Sequence, residues 1–287
     1  MTKILNGKIV SDQILAALKK EIATKKQKNN QVPGLAVILV GEDPASTVYV
    51  RMKKKRCGEI GIQSFEYKLP ADTKEQKIID LIKKLNHDPE VHGILLQVPL
   101  PPGLNEEKLL SLIDPAKDVD GFHPINVGNL LLGRACFKSC TPYGVCKILE
   151  HYQIPTKGKH VVILGRSNIV GKPLAAMLIQ KDMNATVTIC HSQTQNLKDL
   201  TKKADILIAA IGKPLFVTSD MVKKNAIVID VGINRVEDKN DPRGYKIVGD
   251  VDYDNVLPKA SAITPVPGGV GAMTIAMLMT NTVRALP

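Results

Sequence analysis

Two side chains one helical turn apart are the first in this chain that could do chemistry together. Tyr49 and Lys53 are four positions apart in the segment DPASTVYVRMKKKRC, and this spacing places both on one face of a helix. A lysine acts as a general base near neutral pH only if its pKa falls, and both burial and nearby positive charge lower it. Lys54, Lys55 and Arg56 supply such charge. The competing interpretation is a solvated basic helix face, because burial cannot be read from sequence.

Further along the chain, a glutamine and an aspartate are also candidates for a site. Gln97 lies inside the apolar run GILLQVPL, part of a strand predicted at 92–100. An unpaired buried amide is costly, so Gln97 is either a satisfied core group or a site residue at a strand end, where open α/β sheets bind ligands. In the loop DPAKDVDGFHPINVGNL, we interpret Asp118 as a residue that shapes the turn rather than as a site residue. Asp120 could present its carboxylate to a basic or amide-like heterocycle.

The segment HVVILGRSNIVGKPLAAML reads as a strand, a turn and a helix. Gly165 and Gly171 bracket the turn, and the N–H groups and dipole of a helix N-terminus favour phosphate there. The pattern is not GxGxxG, so a plain strand-to-helix turn remains an alternative to a cofactor site.

The next predicted strand, TVTIC, bears on which cofactor such a turn would bind. In NAD-specific sites this strand ends in an acid that binds the ribose 2′-OH, whereas here His191 and Ser192 follow it. Ser192 can donate a hydrogen bond to a 2′-phosphate and Arg166 can neutralise it, which favours NADP. Alternatively, His191 and Ser192 only shape a turn.

The predicted elements indicate an α/β fold in two domains. The first half shows strands and helices in mixture; the second half shows short, continuously apolar strands, typical of a parallel doubly wound sheet. The predicted helices are 11–26, 44–56, 74–85, 144–152, 171–181 and 274–286, and the predicted strands are 35–40, 92–100, 160–164, 186–190, 205–211 and 226–233. We therefore expect one domain at 1–143 with the tail helix 274–287, and a Rossmann-like dinucleotide-binding domain at 144–273.

Composition narrows the class of protein. Of 287 residues, 44% are hydrophobic, and no apolar run reaches the roughly 18 residues that span a bilayer. The formal charge of +11 is spread along the chain and aromatics are only 3%, which favours anionic small molecules over nucleic acid. A basic nucleic-acid-binding protein is the alternative from another class, and steeply salt-dependent retention on DNA would reveal it. The five cysteines form no CxxC pair or metal-ligand cluster, so we expect packed thiols in a reducing compartment and no metal.

Taken together, eight segments resemble the bifunctional methylenetetrahydrofolate dehydrogenase/methenyltetrahydrofolate cyclohydrolase family. In chain order they are VGEDPASTVYVRMKKK, GILLQVPLP, KDVDGFHPINVGNL, CTPYG, GRSNIVGKP, DVGINR, GDVDY and TPVPGGVGAMT. The resemblance implies two α/β domains around a cleft, with the last helix packed on the first domain. It also implies a cytoplasmic homodimer of one-carbon metabolism that serves purine biosynthesis.

The resemblance implies roles for particular residues. In the first domain, Lys53 would be the central catalytic group, Tyr49 its neighbour over the folate, Gln97 the partner that tunes the lysine, and Asp120 the group that holds the pterin ring. The implied cofactor-binding residues of the second domain are Gly165, Arg166, Ser167, Ser192 and, beside the nicotinamide, Ile233. The loop from Pro267 to Gly271 would line the substrate side of the cleft. After it, Ala272 departs from the proline of the family pattern.

The implied reaction has two steps. With NADP⁺ the enzyme would oxidise 5,10-methylenetetrahydrofolate to 5,10-methenyltetrahydrofolate, and it would then hydrolyse that cation to 10-formyltetrahydrofolate. The alternative among enzymes is a dehydrogenase that lacks the hydrolytic step or uses NAD. The residues at 49, 53, 97 and 120 argue against the first possibility, and Ser192 argues against the second.

Overall fold

The computed structural model describes residues 1–239, 241–242 and 244–287. The chain divides into two compact units, and each is assembled from two separate stretches of sequence. The six-stranded unit comprises Met1–Ser11 and Thr141–Thr274, and the three-stranded unit comprises Asp12–Cys140 and Ile275–Pro287. No helix in the described residues is both long enough and apolar enough to span a membrane.

The elements alternate between strands and helices through most of the chain. The strands are β1 (Lys3–Ile4), β2 (Gly34–Val40), β3 (Gln63–Leu69), β4 (Gly93–Leu96), β5 (His160–Leu164), β6 (Thr186–Cys190), β7 (Ile206–Ala209), β8 (Ile227–Asp230), β9 (Asn234–Glu237), β10 (Tyr245–Val248) and β11 (Ala262–Ile263). The helices are α1 (Gly7–Asn29), α2 (Pro44–Ile60), α3 (Glu75–His87), α4 (Glu106–Leu110), α5 (Pro124–Leu131), α6 (Cys140–His151), α7 (Gly171–Leu178), α8 (Leu197–Thr201), α9 (Tyr253–Val256) and α10 (Val270–Ala285), with a 3₁₀ turn at Ser219–Met221.

The three-stranded unit is built on a parallel sheet in the order β3-β2-β4. Every residue of the central strand β2 is buried, as expected for an apolar strand covered on both faces. Helix α2 starts sharply after β2 because the Asp43 carboxylate accepts from the Ser46 N–H at 2.7 Å and Pro44 occupies the first turn. This start fixes which face of α2 turns towards the sheet.

The six-stranded unit contains a parallel sheet in the order β1-β11-β8-β7-β5-β6. The chain moves from β5 outward to β6 and then returns to β7 on the other side of β5. In open α/β sheets such a reversal opens a crevice at the carboxyl ends of the strands, where ligands bind. The sheet therefore presents a ligand-binding edge after Leu164, Cys190 and Ala209.

Several observed elements differ from the predicted ones. The first residues lie with the second half of the chain rather than in the predicted first domain, because β1 pairs with β11 and the Thr2 hydroxyl donates to the Leu257 carbonyl. Strand β3 was not predicted. Strand β4 is shorter than the predicted 92–100, so Gln97 follows the strand instead of lying inside it.

Candidate functional site

The four consecutive basic residues at 53–56 on α2 divide into one inward and three outward side chains. Lys53 faces the interior and is only 7% exposed. The other cations form ion pairs with glutamates: Lys54 with Glu66 at 3.1 Å, Lys55 with Glu59 at 3.9 Å and Arg56 with Glu59 at 2.7 Å. A solvated basic face is therefore the right interpretation for three of these residues and the wrong one for Lys53.

Lys53 and Gln97 form a direct hydrogen bond. The Lys53 Nζ donates to the Gln97 Oε1 at 2.9 Å. Gln97 is held in turn, because its backbone N–H donates to the Ile38 carbonyl at 2.9 Å and its Nε2 donates to the Val98 carbonyl at 2.7 Å. With the amide nitrogen engaged elsewhere, the amide oxygen is the atom that faces the lysine.

The charge state of Lys53 is shifted towards the neutral amine. Burial lowers the pKa of Lys53, while the charges of Asp120, Cys140 and Cys57 act in the opposite direction and are smaller contributors. Burial also raises the pKa of Asp120, and the Lys53 ammonium together with a hydrogen bond from Cys140 counteracts that rise. The lysine is thus more easily deprotonated than an exposed one, which a general base near neutral pH requires.

Asp118 organises the loop that carries Asp120. Its carboxylate accepts from the N–H groups of Gly121, Phe122 and His123 at 3.1, 3.2 and 2.8 Å, and from the Asn126 Nδ2 at 2.8 Å. Asp118 is only 2% exposed, so these bonds replace the water that a carboxylate would otherwise bind. This agrees with its interpretation as a turn residue.

Tyr49 lies one turn before Lys53 on α2 and is partly buried. Burial raises the pKa of its phenol, which stays protonated and can donate a hydrogen bond near neutral pH. The three-stranded unit therefore brings Lys53, Gln97 and Asp120 together, with Tyr49 on the same helix as the lysine.

The six-stranded unit contains a cavity of about 330 Å³ at the predicted ligand-binding edge. Its lining residues are Leu164, Gly165, Arg166, Ser167, Cys190, His191, Ser192, Leu197, Ala210, Ile211, Lys213 and Phe216. Four of the predicted cofactor residues are among them. None of these lining residues, all within the described part of the chain, is acidic, and two carry a positive charge. The cavity therefore suits a phosphate-bearing ligand.

Two glycines allow the backbone to approach closely at the turn below this cavity. Gly165 has φ +117°, and a Cβ there would lie 2.1 Å from the Ala210 carbonyl oxygen. A Cβ on Gly171 would lie 2.1 Å from the Gly165 carbonyl oxygen. The Ser167 hydroxyl accepts from the Val170 N–H at 3.1 Å and orders the turn. Any side chain larger than hydrogen at either glycine would push the turn away from the sheet.

The remaining predicted residues lie outside this cavity's lining. Ile233 is 47% exposed and adjoins Gly271, because a Cβ on that glycine would lie 2.9 Å from the Ile233 Cδ1. Pro267 is exposed. Helix α10 begins at Val270, so Ala272 lies within its first turn, where alanine is a good helix former.

Three functional candidates were missed by sequence reasoning. Lys213 and Phe216 line the cavity from the segment that follows β7, and the Lys213 Nζ lies 5.7 Å from the centre of the Phe216 ring. The buried Asp250 carboxylate accepts from the Ile211 and Gly212 N–H groups at 2.7 and 3.0 Å and so anchors this segment. The available signal was topological: in a parallel sheet, the loop after β7 emerges beside the loop after β5.

Comparison with known proteins gives concordant matches over both halves of the chain. The family model "Tetrahydrofolate dehydrogenase/cyclohydrolase, catalytic domain" matches residues 5–120, and the model for the "NAD(P)-binding domain" of the same family matches residues 139–287. The chain is similar to the "Bifunctional protein FolD" of Chlorobium phaeobacteroides (strain BS1), with 57% identity over 98% of this chain and 96% of that protein.

Solved structures also resemble the chain. The bifunctional FolD methylenetetrahydrofolate dehydrogenase/cyclohydrolase of Campylobacter jejuni has a TM-score of 0.94 and 49% identity, covering 99% of this chain and 98% of that one. The Trypanosoma brucei methylenetetrahydrofolate dehydrogenase-cyclohydrolase, solved with NADP cofactor and inhibitor, has a TM-score of 0.94 and 36% identity, covering 99% and 97%.

Proposed function

Because the chain belongs to the tetrahydrofolate dehydrogenase/cyclohydrolase family, we propose that it is a bifunctional enzyme of folate metabolism. It oxidises 5,10-methylenetetrahydrofolate to 5,10-methenyltetrahydrofolate with NADP⁺ and hydrolyses the product to 10-formyltetrahydrofolate. The observation that carries the proposal is the partly buried hydrogen bond of 2.9 Å between the Lys53 Nζ and the Gln97 Oε1. It provides an amine of lowered pKa, held in a fixed orientation.

In the hydrolytic step, Lys53 acts as the general base. Its neutral amine takes a proton from the water that adds to the cationic methenyl carbon, and the ring then opens to the 10-formyl product. Gln97 orients the amine through its amide oxygen. Asp120 holds the pterin ring and Tyr49 lies over the folate. Pro267 and Gly271 belong to the loop beside the substrate.

NADP⁺ is the proposed cofactor for the oxidative step. When bound, it supplies the acceptor for the hydride that leaves the methylene carbon. The turn at Gly165, Arg166 and Ser167 would receive its phosphates, with Ser192 and the Arg166 guanidinium at the 2′-phosphate. The non-acidic lining of the cavity supports NADP over NAD, because a carboxylate would repel the 2′-phosphate. Ile233 would lie on the nicotinamide side.

The proposal extends to the setting of the enzyme. The five cysteines are free, which suits a reducing compartment such as the cytoplasm. We also propose that the protein is a homodimer whose product supplies one-carbon units for purine biosynthesis. Light scattering on the purified protein would measure the mass in solution, and a monomer at micromolar concentration would contradict the dimer.

Replacement of Lys53 tests the assignment of its role. We expect Lys53→Met to abolish the hydrolysis of methenyltetrahydrofolate and to leave measurable dehydrogenase activity, since hydride transfer needs no base at this position. NADPH and methenyltetrahydrofolate are followed together by absorbance, and the intermediate should accumulate in the variant. Lys54→Met is the matched control, because Lys54 is the exposed neighbour paired with Glu66.

The outcome is decisive in both directions. A folded Lys53→Met protein that loses both activities equally would contradict this division of labour. A wild-type protein that forms no NADPH from methylenetetrahydrofolate and NADP⁺ would refute the proposed function as a whole.

A further inference from the structure

One polar side chain on the last helix is buried where an apolar one would be expected. Asn281 on α10 is 1% exposed and follows the buried residues Met277, Leu278 and Met279. Its Oδ1 is buried and has no hydrogen-bond partner among the described residues. Such an atom loses its hydration without compensation, so a residue selected for stability alone would be apolar here.

The amide nitrogen of Asn281 has two partners. The Nδ2 donates to the Val119 carbonyl at 2.8 Å and to the Lys138 carbonyl at 2.9 Å. Val119 directly precedes Asp120 in the chain, and Lys138 lies two residues before Cys140. One side chain therefore connects the loop that carries Asp120 to the segment that enters α6.

These two segments meet without room for an intervening side chain. A Cβ on Gly121, which has φ +73°, would lie 2.6 Å from both the Lys138 carbonyl carbon and the Ser139 nitrogen. The two hydrogen bonds of the Asn281 amide therefore hold together two segments whose backbones lie in direct contact. Because the two backbones meet directly at Gly121, loss of these hydrogen bonds should let the segments separate.

The Cys140 thiol adds a second connection between the same segments. Its Sγ lies 3.4 Å from the Val119 carbonyl oxygen, and the thiol also hydrogen-bonds the Asp120 carboxylate. The Asn281 Nδ2 approaches this sulfur at 3.8 Å. The thiol has a single hydrogen, which it can donate either to the Val119 carbonyl or to the Asp120 carboxylate. The Asn281 amide also donates to the Val119 carbonyl.

We propose that Asn281 is a positioning residue that fixes the Asp120 carboxylate beside Lys53 by holding the Val119 and Lys138 carbonyls. The inference rests on the proposed function, since it gives the last helix a part in folate turnover. Movement of Asp120 has two consequences: the pterin loses its anchor, and Lys53 loses the charge that favours its ammonium form.

The direct test compares Asn281→Leu with Thr282→Val. Thr282 is the next residue on α10, is fully buried, and uses its hydroxyl on the Leu278 carbonyl of its own helix, so its removal leaves the Asp120 loop intact. For Asn281→Leu we expect the KM for methylenetetrahydrofolate to rise by about tenfold, the effect of losing one to two hydrogen bonds. The KM for NADP⁺ should stay within about twofold of wild type, a margin below the effect of one hydrogen bond.

The pH profile gives a readout that a merely structural role would not move. The charged or titratable groups acting on Lys53 are Asp120, Cys140 and Cys57, and each raises its pKa. If Asp120 moves away, the pKa of Lys53 falls. The acid limb of the hydrolytic kcat/KM profile should therefore shift to lower pH in Asn281→Leu and stay in place in Thr282→Val.

A second pair of variants decides the matter should Asn281→Leu fail to fold. Cys140→Ala removes the thiol donor and should raise the folate KM severalfold, whereas Cys140→Ser keeps a donor and should restore most of the wild-type value. An unchanged folate KM and pH profile in a folded Asn281→Leu protein would overturn the inference; if that variant does not fold, an unchanged folate KM in Cys140→Ala would overturn it. So would a fall in kcat alone. If the wild-type protein shows no folate turnover, both the proposed function and this inference are refuted. If the wild-type protein is active and the variants are unaffected, only the inference is refuted.

Discussion

The substitution Gln97→Glu changes the charge next to the proposed base without changing its size. It replaces the amide oxygen that accepts from the Lys53 Nζ at 2.9 Å with a carboxylate oxygen at the same place. At that separation, Coulomb's law with an effective dielectric constant of 20 gives about 6 kcal/mol in favour of the ammonium form. Burying the new carboxylate offsets about half of this.

The remaining stabilisation of the ammonium, about 3 kcal/mol, corresponds to about a hundredfold smaller fraction of neutral amine at a fixed pH. We therefore expect Gln97→Glu to slow hydrolysis of methenyltetrahydrofolate at pH 7 by about a hundredfold. The pKa of Lys53 rises in this variant, so its rate should recover as the pH is raised. Dehydrogenase activity should fall by less than about tenfold, because hydride transfer does not use the amine.

The assay follows NADPH formation and the methenyl intermediate by absorbance from pH 6 to pH 10. Gln63→Glu is the control, since Gln63 undergoes the same chemical change at an exposed position at the start of β3. Wild-type hydrolysis by a folded Gln97→Glu protein at pH 7 would refute the argument that a neutral Lys53 is required. A hundredfold loss that did not diminish at higher pH would refute the electrostatic explanation for it.

Three further predictions concern the cofactor, a buried carboxylate and a backbone contact. Ser192→Asp should lower kcat/KM for NADP⁺ by about tenfold or more and leave NAD⁺ less affected, because the new carboxylate repels a 2′-phosphate; equal changes for both cofactors would count against this site. Burial raises the pKa of Asp230 to about 6 from its ordinary 3.8, so urea unfolding should show wild type losing about 2 kcal/mol of stability relative to Asp230→Asn as the pH rises from 4 to 6.5; a constant difference over that range would disprove it. Gly121→Ala should destabilise the fold by about 2 kcal/mol, because the added Cβ clashes with the backbone. Gly128→Ala should instead stabilise the fold by about 0.5 kcal/mol, because Gly128 has open space at an exposed helix position. Similar urea midpoints for the two variants would contradict this reasoning.

The ends of two strands of the six-stranded unit were predictable. β5 and β6 occupy the residues expected of them, since HVVIL and TVTIC are short runs rich in β-branched residues between polar turns. Burial was predicted correctly only for β5, because β6 lies at the sheet edge and most of its residues are partly or fully exposed. Strand β3 was not predicted because it has no continuous apolar run. Its residues QSFEYKL mix polar, charged, aromatic and aliphatic side chains and are partly exposed at the sheet edge, where the strand pairs with β2.

Local pattern indicated which side chains could react but not how they are held. The spacing of Tyr49 and Lys53 identified a shared helix face, yet only the tertiary fold decides that Lys53 is buried while Lys54 is not. Asn281 carries no sequence signal at all. Its partners lie more than a hundred residues earlier in the chain, and a single asparagine in an apolar helix does not reveal them.

The pairing of β1 with β11 has a consequence for how the protein is made. Residues 3–4 are synthesised long before their neighbours at 262–263, and the last turns of α10 follow later still. Neither unit can complete its structure before its later stretch of sequence has been made, because each unit combines an early and a late stretch. Until then the growing chain carries a sheet edge without its partner strand, and closing so long a loop should make this last pairing a slow step of folding.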